Sequence, residues 1–566
     1  MIATRSPDSI PILYQIGEAP QLDRTFSSIK NSLSKIAGAS ALTLSERGTA
    51  IVICPTIPTV WTIAEELSGE LPEVDDPDIA LVQRYLAAEI SGDYALIGML
   101  ARRVGVHHAG LSDETRALME WLAEQGKLRI LVATTGLSQG LNFPVSSILL
   151  ASRNLPSGKF NRPMTAREFW NLAGRAGRVD QDSIGVVGIS SKEGDREPLA
   201  QFLSEQAGAL VSRLVVLLDE LEDAGRLLNL ERSLYNDQWA DFRSYVAHLF
   251  AQKKNLDAVL SETELLLRNT FGYSSLAEAS PAERQKGLRL LEATRAYAAE
   301  LAQNVETTTL ADSTGFTPEG IRSAMGEMRR MDKSLDASDW QPGSLFGDVT
   351  SSALPDLMRV MLQLPQIRES IDELSGVGAG IGDRAAKIAS DWVAGVSIKS
   401  IAERYFGDAS SPTAALTEAT KAIYRNLATA GTWGISALSK LPTSGIDFEN
   451  VSESDLRSIN LLGAMLYHGV NTEAGVVMRM SSVPRTAANS LGAEFARSHD
   501  SGTLRPSEAR EFLSQLSDAD WGRHVPRGSD LAGADLRDLW QVLSGSAGDP
   551  GTRTAAAKAR KAQSGS

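Results

Sequence analysis

Three segments between Val104 and Asp180 carry the residues whose types and spacing suit chemistry: VGVHHAGLSDETRALMEW from Val104, LRILVATTGLSQGLNFPV from Leu128, and EFWNLAGRAGRVD from Glu168. Each falls at the end of an expected strand or on the helix that follows one. Ligands of open α/β sheets gather at the carboxyl ends of strands. Here those ends are expected to carry Thr134, Asn142 and a paired-arginine segment, Arg175 and Arg178, which is what a phosphate-handling site needs. Taken alone, GRAGR reads as a helix terminus with solvated arginines. In order with the other two segments it reads as part of a site. His107 and His108 read as structural rather than catalytic, and Cys54, at the end of a buried strand, as a small core residue.

The elements that must position these residues follow from the apolar pattern. Short apolar runs at Thr49–Cys54, Val104–His107, Leu128–Thr134, Ser147–Ala151 and Ile184–Ile189 alternate with helical segments. Continuous β-branched runs of this kind are buried on both faces, so they predict a parallel sheet covered by helices. One helix is predicted from Ser112 to Gly126, where glycine can take the left-handed conformation, and another from Thr165, with Glu168 completing a capping box. After about Ser191 the strand signal fades, and stretches such as Pro198–Leu228 and Ser280–Asn304 predict helices. Turn formers cluster at Asp332–Ser352 and Ser375–Gly382, which read as boundaries. The expected division is therefore an N-terminal linker over 1–45, the α/β domain over 46–195, a helical region over 196–335, a helical bundle over 353–543, and a disordered tail over 544–566.

Composition bounds the partners. A chain of 566 residues holds about three or four domains, and 43% apolar with 22% charged residues is that of an ordinary folded protein. Fifty-six basic against 70 acidic side chains leave a net charge of −14, so any nucleic-acid contact must be a local basic groove. One cysteine excludes an intrachain disulfide, and neither it nor six scattered histidines supply a metal cage. A reducing cytoplasm is expected, and no apolar run approaches the roughly 18 residues of a membrane span.

The three segments resemble the motifs of the second RecA-like domain of superfamily 2 DEAD/DEAH-box helicases, in particular the superkiller-type branch. HHAG at His107–Gly110, ATTGLSQGLNFP at Ala133–Pro144 and NLAGRAGR at Asn171–Arg178 match in order and spacing, and TAIVICPT at Thr49–Thr56 is similar to that domain's first strand and strand-contacting turn. The resemblance implies that Arg175 and Arg178 reach across an interdomain cleft to the γ-phosphate of ATP bound with Mg2+. Such arginines contribute about 10³–10⁵ in rate. It also implies Gly140, Asn142, Asn171 and Gly174 at the nucleotide, and Thr56, His108 and Thr134 at the nucleic acid. Asn171 stands where the family has Gln, and its shorter amide weakens the expected interdomain coupling.

The family's glycine-rich phosphate loop with Lys and its DExH or DExD box are not found in these 566 residues. The expectation is one half of a two-domain motor, with the first RecA-like domain on a separate polypeptide. The branch places a winged helix and a ratchet-like bundle after the motor. Thr309–Met328 reads as a helix-turn-helix with Thr317 as N-cap and Pro318 at the first helical position, or as an ordinary helical hairpin. Asp383–Phe406 and Thr432–Leu438 are similar to the ratchet region of bacterial helicases of this branch, some linked to anti-phage defence. Val476–Leu491 resembles a degenerate helix-hairpin-helix, where Arg479 and Arg485 add charge to backbone N–H groups facing phosphates. The competing expectation is a non-catalytic nucleic-acid-binding or scaffold protein descended from such a helicase.

Overall fold

The five apolar runs form one parallel sheet. In the computed structural model, which describes residues 2–4, 12–14, 32–135, 145–152, 154–157, 160–164, 169, 172, 176, 185–190, 218, 230–253, 255, 257–259, 261–262, 265, 281–376, 380, 382–499 and 504–545, Ile2–Thr4 (β1) pairs antiparallel with Ile12–Tyr14 (β2). The sheet strands are Ala50–Cys54 (β3), Val104–His107 (β4), Ile130–Thr134 (β5), Ser147–Leu150 (β6) and Val186–Ile189 (β9), in the order β4-β5-β3-β6-β9. Asn154–Ser157 (β7) and Phe160–Pro163 (β8) form a separate antiparallel pair. All five residues of β3 are buried. Because successive side chains point to opposite faces, burial of the whole run means that helices cover both sides of the sheet.

Capping chemistry sets the surrounding helices. Ser112 accepts the Thr115 N–H at 3.0 Å and starts helix Asp113–Glu124, and Gly126 follows at φ 64°. Leu33–Leu44, expected as part of a linker, is instead a helix laid on the sheet. Gly38 lets it approach closely, since a Cβ there would stand 3.3 Å from Ile63 Cγ2. The helices expected over 165 onward and 198–228 and the tail beyond 545 lie outside the described residues.

The chain divides into two compact units. The first comprises Met1–Gly208, Ser397–Tyr424 and Ala474–Ser566, and the second Ala209–Val396 and Arg425–Glu473. This differs from a single bundle over 353–543: segments 397–424 and 474–543 belong with the sheet. Their basic side chains pair with acidic ones of the α/β domain, as in Lys399–Asp93 at 3.1 Å and Arg485–Glu89 at 3.0 Å.

In the second unit, helix Pro281–Gln303 packs with Trp239, Phe250 and Tyr297 around a core of its own. In both segments read as boundaries, described residues are packed in place. Trp340 is fully buried and donates its indole N–H to Ser444 O at 2.9 Å, while a Cβ on Gly382, at φ 96°, would sit 2.4 Å from Pro355 O. Helices Val305–Thr314 and Pro318–Met328 meet at Gly315, and Thr317 caps the second as expected. That helix begins inside the protein: Thr317 is fully buried and Glu319 pairs with the buried Arg243 at 3.3 Å. The start of a DNA-reading helix must face solvent, so the geometry is that of a helical hairpin.

Candidate nucleic-acid interface

Register brings two of the expected strand contacts together. Thr134 ends β5 directly beside Cys54, the last residue of β3, and Thr56 follows two residues later. Thr56 is exposed and caps helix Ile57–Gly69, its Oγ1 3.4 Å from the Thr59 N–H and 2.8 Å from Thr59 Oγ1. Thr134 is half-buried. The carboxyl edge therefore holds two threonines close to the start of a 13-residue helix, uncharged groups of a kind that can contact a phosphate without reading a base.

His108, at the same edge, turns inward. It is 2% exposed, meets Trp61 edge-on at 5.6 Å, and accepts the Gly110 N–H on Nδ1 at 3.1 Å. Burial, with His107 and Arg116 nearby, pushes its pKa down to about 3, so the ring is neutral. A Cβ on Gly110 would stand 3.1 Å from His108 Nδ1, which explains the glycine of HHAG. The expected strand contact at His108 is thus replaced by a wedge that shapes the turn. His107 is likewise buried, with Nε2 2.8 Å from Glu120 Oε1.

Arg479 and Arg485 also depart from expectation. Helices Glu473–Met480 and Arg485–Ser498 do form a hairpin, with Ser482 left-handed at φ 68°. The turn's N–H groups from Ser481 to Val483 bond to carbonyls of the preceding helix. Arg485 Nε donates to Glu89 Oε1 at 3.0 Å, each side chain 3% exposed, and Arg479 pairs with Glu114 while donating to Val483 O at 2.8 Å. Both guanidinium groups are spent on internal carboxylates and do not face a strand. Glu89 lies 396 positions from Arg485, a distance that no local pattern spans.

Arg175, Arg178, Gly140, Asn142, Asn171 and Gly174 lie outside the described residues. Ala176, within GRAGR, forms a parallel bridge with Val145, the residue after GLNFP. Val145 precedes β6, so this bridge stands at the amino end of that strand rather than at the carboxyl edge where the arginine segment was expected.

The second unit, taken by itself, carries a run of exposed residues of which the sequence reading singled out only the segment Thr432–Leu438 around Trp433. Exposed positions recur at Arg425, Thr429, Trp433 and Lys440, from a π-helical stretch, Ala422–Gly431, through helix Thr432–Leu438 to the turn after it. Trp433 is 38% exposed yet fixed, stacked on Phe316 with centroids 4.2 Å apart and donating to Thr314 O at 2.8 Å. No carboxylate pairs with Arg425 or Lys440 among the described residues. The four-residue spacing from Arg425 to Trp433, with Lys440 seven residues further on, was the available signal.

Among the described residues no cluster of His, Cys, Asp and Glu could hold a metal ion, and no helix is long and apolar enough to cross a membrane.

No family model matches the chain. It is 30% identical over 165 residues to an uncharacterized helicase of Schizosaccharomyces pombe, covering 28% of this chain and 16% of that protein. Similarity to the antiviral helicase SKI2 of Saccharomyces cerevisiae is 38% over 89 residues, or 16% of this chain and 7% of the relative. The human exosome RNA helicase MTR4 is 28% identical over 155 residues, 25% and 14% of the two chains. The aligned parts span about one-sixth or less of these curated relatives. The relatives are superfamily 2 helicases, and the superkiller-type branch fits.

Proposed function

We propose that this chain supplies the second RecA-like half of an ATP-dependent helicase or translocase acting on single-stranded DNA or RNA, with the first RecA-like half on a separate polypeptide. The observation that carries the reading is the division of labour between the two edges of the sheet. Thr56 and Thr134 share the carboxyl edge, while Val145, which ends GLNFPV, bridges Ala176, the middle residue of GRAGR, at the amino end of β6. A motor that couples strand to nucleotide needs two such faces on one rigid body. ATP with Mg2+, when bound by the first half, supplies the phosphoryl transfer to water. This chain's share is positional: Arg175 and Arg178 present permanent charge to the γ-phosphate, and Asn142 orients the sugar, with Gly140, Asn171 and Gly174 assigned to nucleotide binding beside it.

The ratchet-like role belongs to the Arg425–Lys440 run, where a fixed aromatic among free cations suits stacked bases and phosphates. The reducing cytoplasm and the link to anti-phage defence are part of the same proposal. A non-catalytic scaffold is the second reading, favoured by the lack of a phosphate loop in these 566 residues.

Reconstitution decides between them. The chain alone should not turn over ATP, and adding a first RecA-like half should give strand-stimulated hydrolysis. Strand binding without any nucleotide response in the reconstituted pair would select the scaffold.

A further inference from the structure

Four charges, two buried and two half-buried, join the C-terminal hairpin to the α/β domain, and none of them serves the interface described above. Glu89 ends helix Pro77–Glu89, and Glu114 lies in the first turn of helix Asp113–Glu124, six residues after His108. Glu89 takes Arg485 Nε at 3.0 Å through one oxygen and the Thr486 N–H at 3.4 Å through the other. It therefore sits at the start of helix Arg485–Ser498, where the partial positive charge of that helix and a guanidinium converge. Glu114 takes Arg479 from the other arm of the hairpin. Tyr85, 2% exposed, stands beside the group. Burial first, then Glu114 and Glu89, hold its hydroxyl well above the ordinary tyrosine range.

We propose that Glu89, Glu114, Arg479 and Arg485 form a buried electrostatic lock that fixes the register in which the hairpin docks, the Glu89 carboxylate taking the seat that a phosphate would occupy. Most of the hairpin's other buried side chains are apolar: Met478, Val483, Ala487, Leu491 and Phe495 are fully buried, and apolar packing of this kind loses uniqueness before it loses stability. A buried ion pair adds little stability over an apolar replacement, but breaking it strands a charge. Its best-attested use is to select one arrangement among several of similar packing energy. Two pairs, one on each arm, fix both translation and rotation of the hairpin. The bidentate pair of Arg84 with Asp535, at 3.0 and 3.1 Å, and Trp540 Nε1 on Ser481 O at 2.9 Å hold helix Gly533–Leu543 over the same turn.

The test uses the full chain with Glu89→Ala, and with Glu89→Leu and Arg485→Met combined. Hydrogen exchange over 485–495, thermal unfolding and single-strand anisotropy at two salt concentrations are the readouts. Glu89→Ala should lose at least 100-fold of exchange protection in that segment while strand affinity stays within twofold. The double variant should regain the melting temperature but exchange with two isotopic populations, the mark of more than one docked register. Should Glu89→Ala fail to fold, the double variant still decides. Unchanged protection in Glu89→Ala, or a single wild-type-like population in the double variant, overturns the lock. A tenfold, salt-sensitive gain in strand affinity on removing Glu89 would overturn it in favour of a gated strand site.

Discussion

The carboxyl edge of the sheet and the C-terminal hairpin both read in the sequence as places for a phosphate, and the fold treats them in opposite ways. At the edge, Thr56 and Thr134 carry no charge, yet a helix terminus and strand register keep them available. In the hairpin, Arg479 and Arg485 carry full charge and are sealed against Glu114 and Glu89. Availability, not charge, separates the two. A charged group removed from water must find a partner, so a buried arginine is committed before any ligand arrives. An uncharged hydroxyl at a helix start can remain at the surface at little cost.

The largest effect should come from the nucleotide side. In the reconstituted motor, Arg178→Ala should slow strand-stimulated hydrolysis by about 10³–10⁵-fold while leaving strand affinity nearly intact. Steady-state turnover with and without strand measures both. Full hydrolysis in this variant would remove the motor reading and leave the carboxyl edge as a plain binding surface.

Next comes the hairpin itself. Arg485→Ala leaves Glu89 buried and unpaired, so chemical denaturation should show a loss of about 3–5 kcal/mol, with no change in the salt slope of strand binding. A reduced slope would mean that the guanidinium touches phosphate after all.

His108 links the edge to pH. Its folded pKa of about 3 lies below the unfolded value near 6.5, so the folded state binds fewer protons in between. Stability from the neutral ring is complete above pH 6.5 and is lost as pH falls toward 3, on the order of 3 kcal/mol by pH 4. His108→Gln should flatten that part of the stability curve. An unaltered slope would show that the ring does not stay neutral inside.

These contrasts explain what the sequence could reveal. All five sheet strands and the caps at Ser112 and Thr317 were legible, because apolar runs and capping pairs are local signals. Thr134 stood at an expected strand end, whereas Thr56 came only from the resemblance of TAIVICPT. The fates of Arg479 and Arg485 were not legible, since Glu89 and Glu114 approach them only through the fold. The turn-rich 332–352 misled for a related reason: Trp340 orders it through Ser444, 104 positions away. His108 was ambiguous because HHAG marks a turn without saying on which side the ring lies.

Trp433 extends the comparison to the second unit. Loss of one base-stacking ring costs about 1–3 kcal/mol, so Trp433→Ala should weaken single-strand binding roughly five- to 100-fold, with Trp433→Phe recovering much of it. Anisotropy with a short labelled strand is sufficient. Equal affinity in both variants would assign the ring to packing on Phe316 alone.

The smallest effect is the most diagnostic for the carboxyl edge. A neutral hydroxyl's hydrogen bond is worth about 0.5–1.5 kcal/mol, so Thr134→Ala should weaken strand binding roughly two- to tenfold. Strand-stimulated turnover should fall with it while basal turnover stays level. Thr56→Ala is a less clean probe, because its hydroxyl also caps helix Ile57–Gly69 and its loss costs about 1 kcal/mol of stability. Thr134 caps no helix among the described residues: it ends β5 half-exposed beside Cys54. Thr134→Ser should retain affinity and Thr134→Val should lose it, since Ser keeps the hydroxyl without the methyl group and Val keeps the shape without the hydroxyl. Equal binding by the Ser and Val variants would place the strand elsewhere, and the carboxyl edge would then be as closed to phosphate as the hairpin.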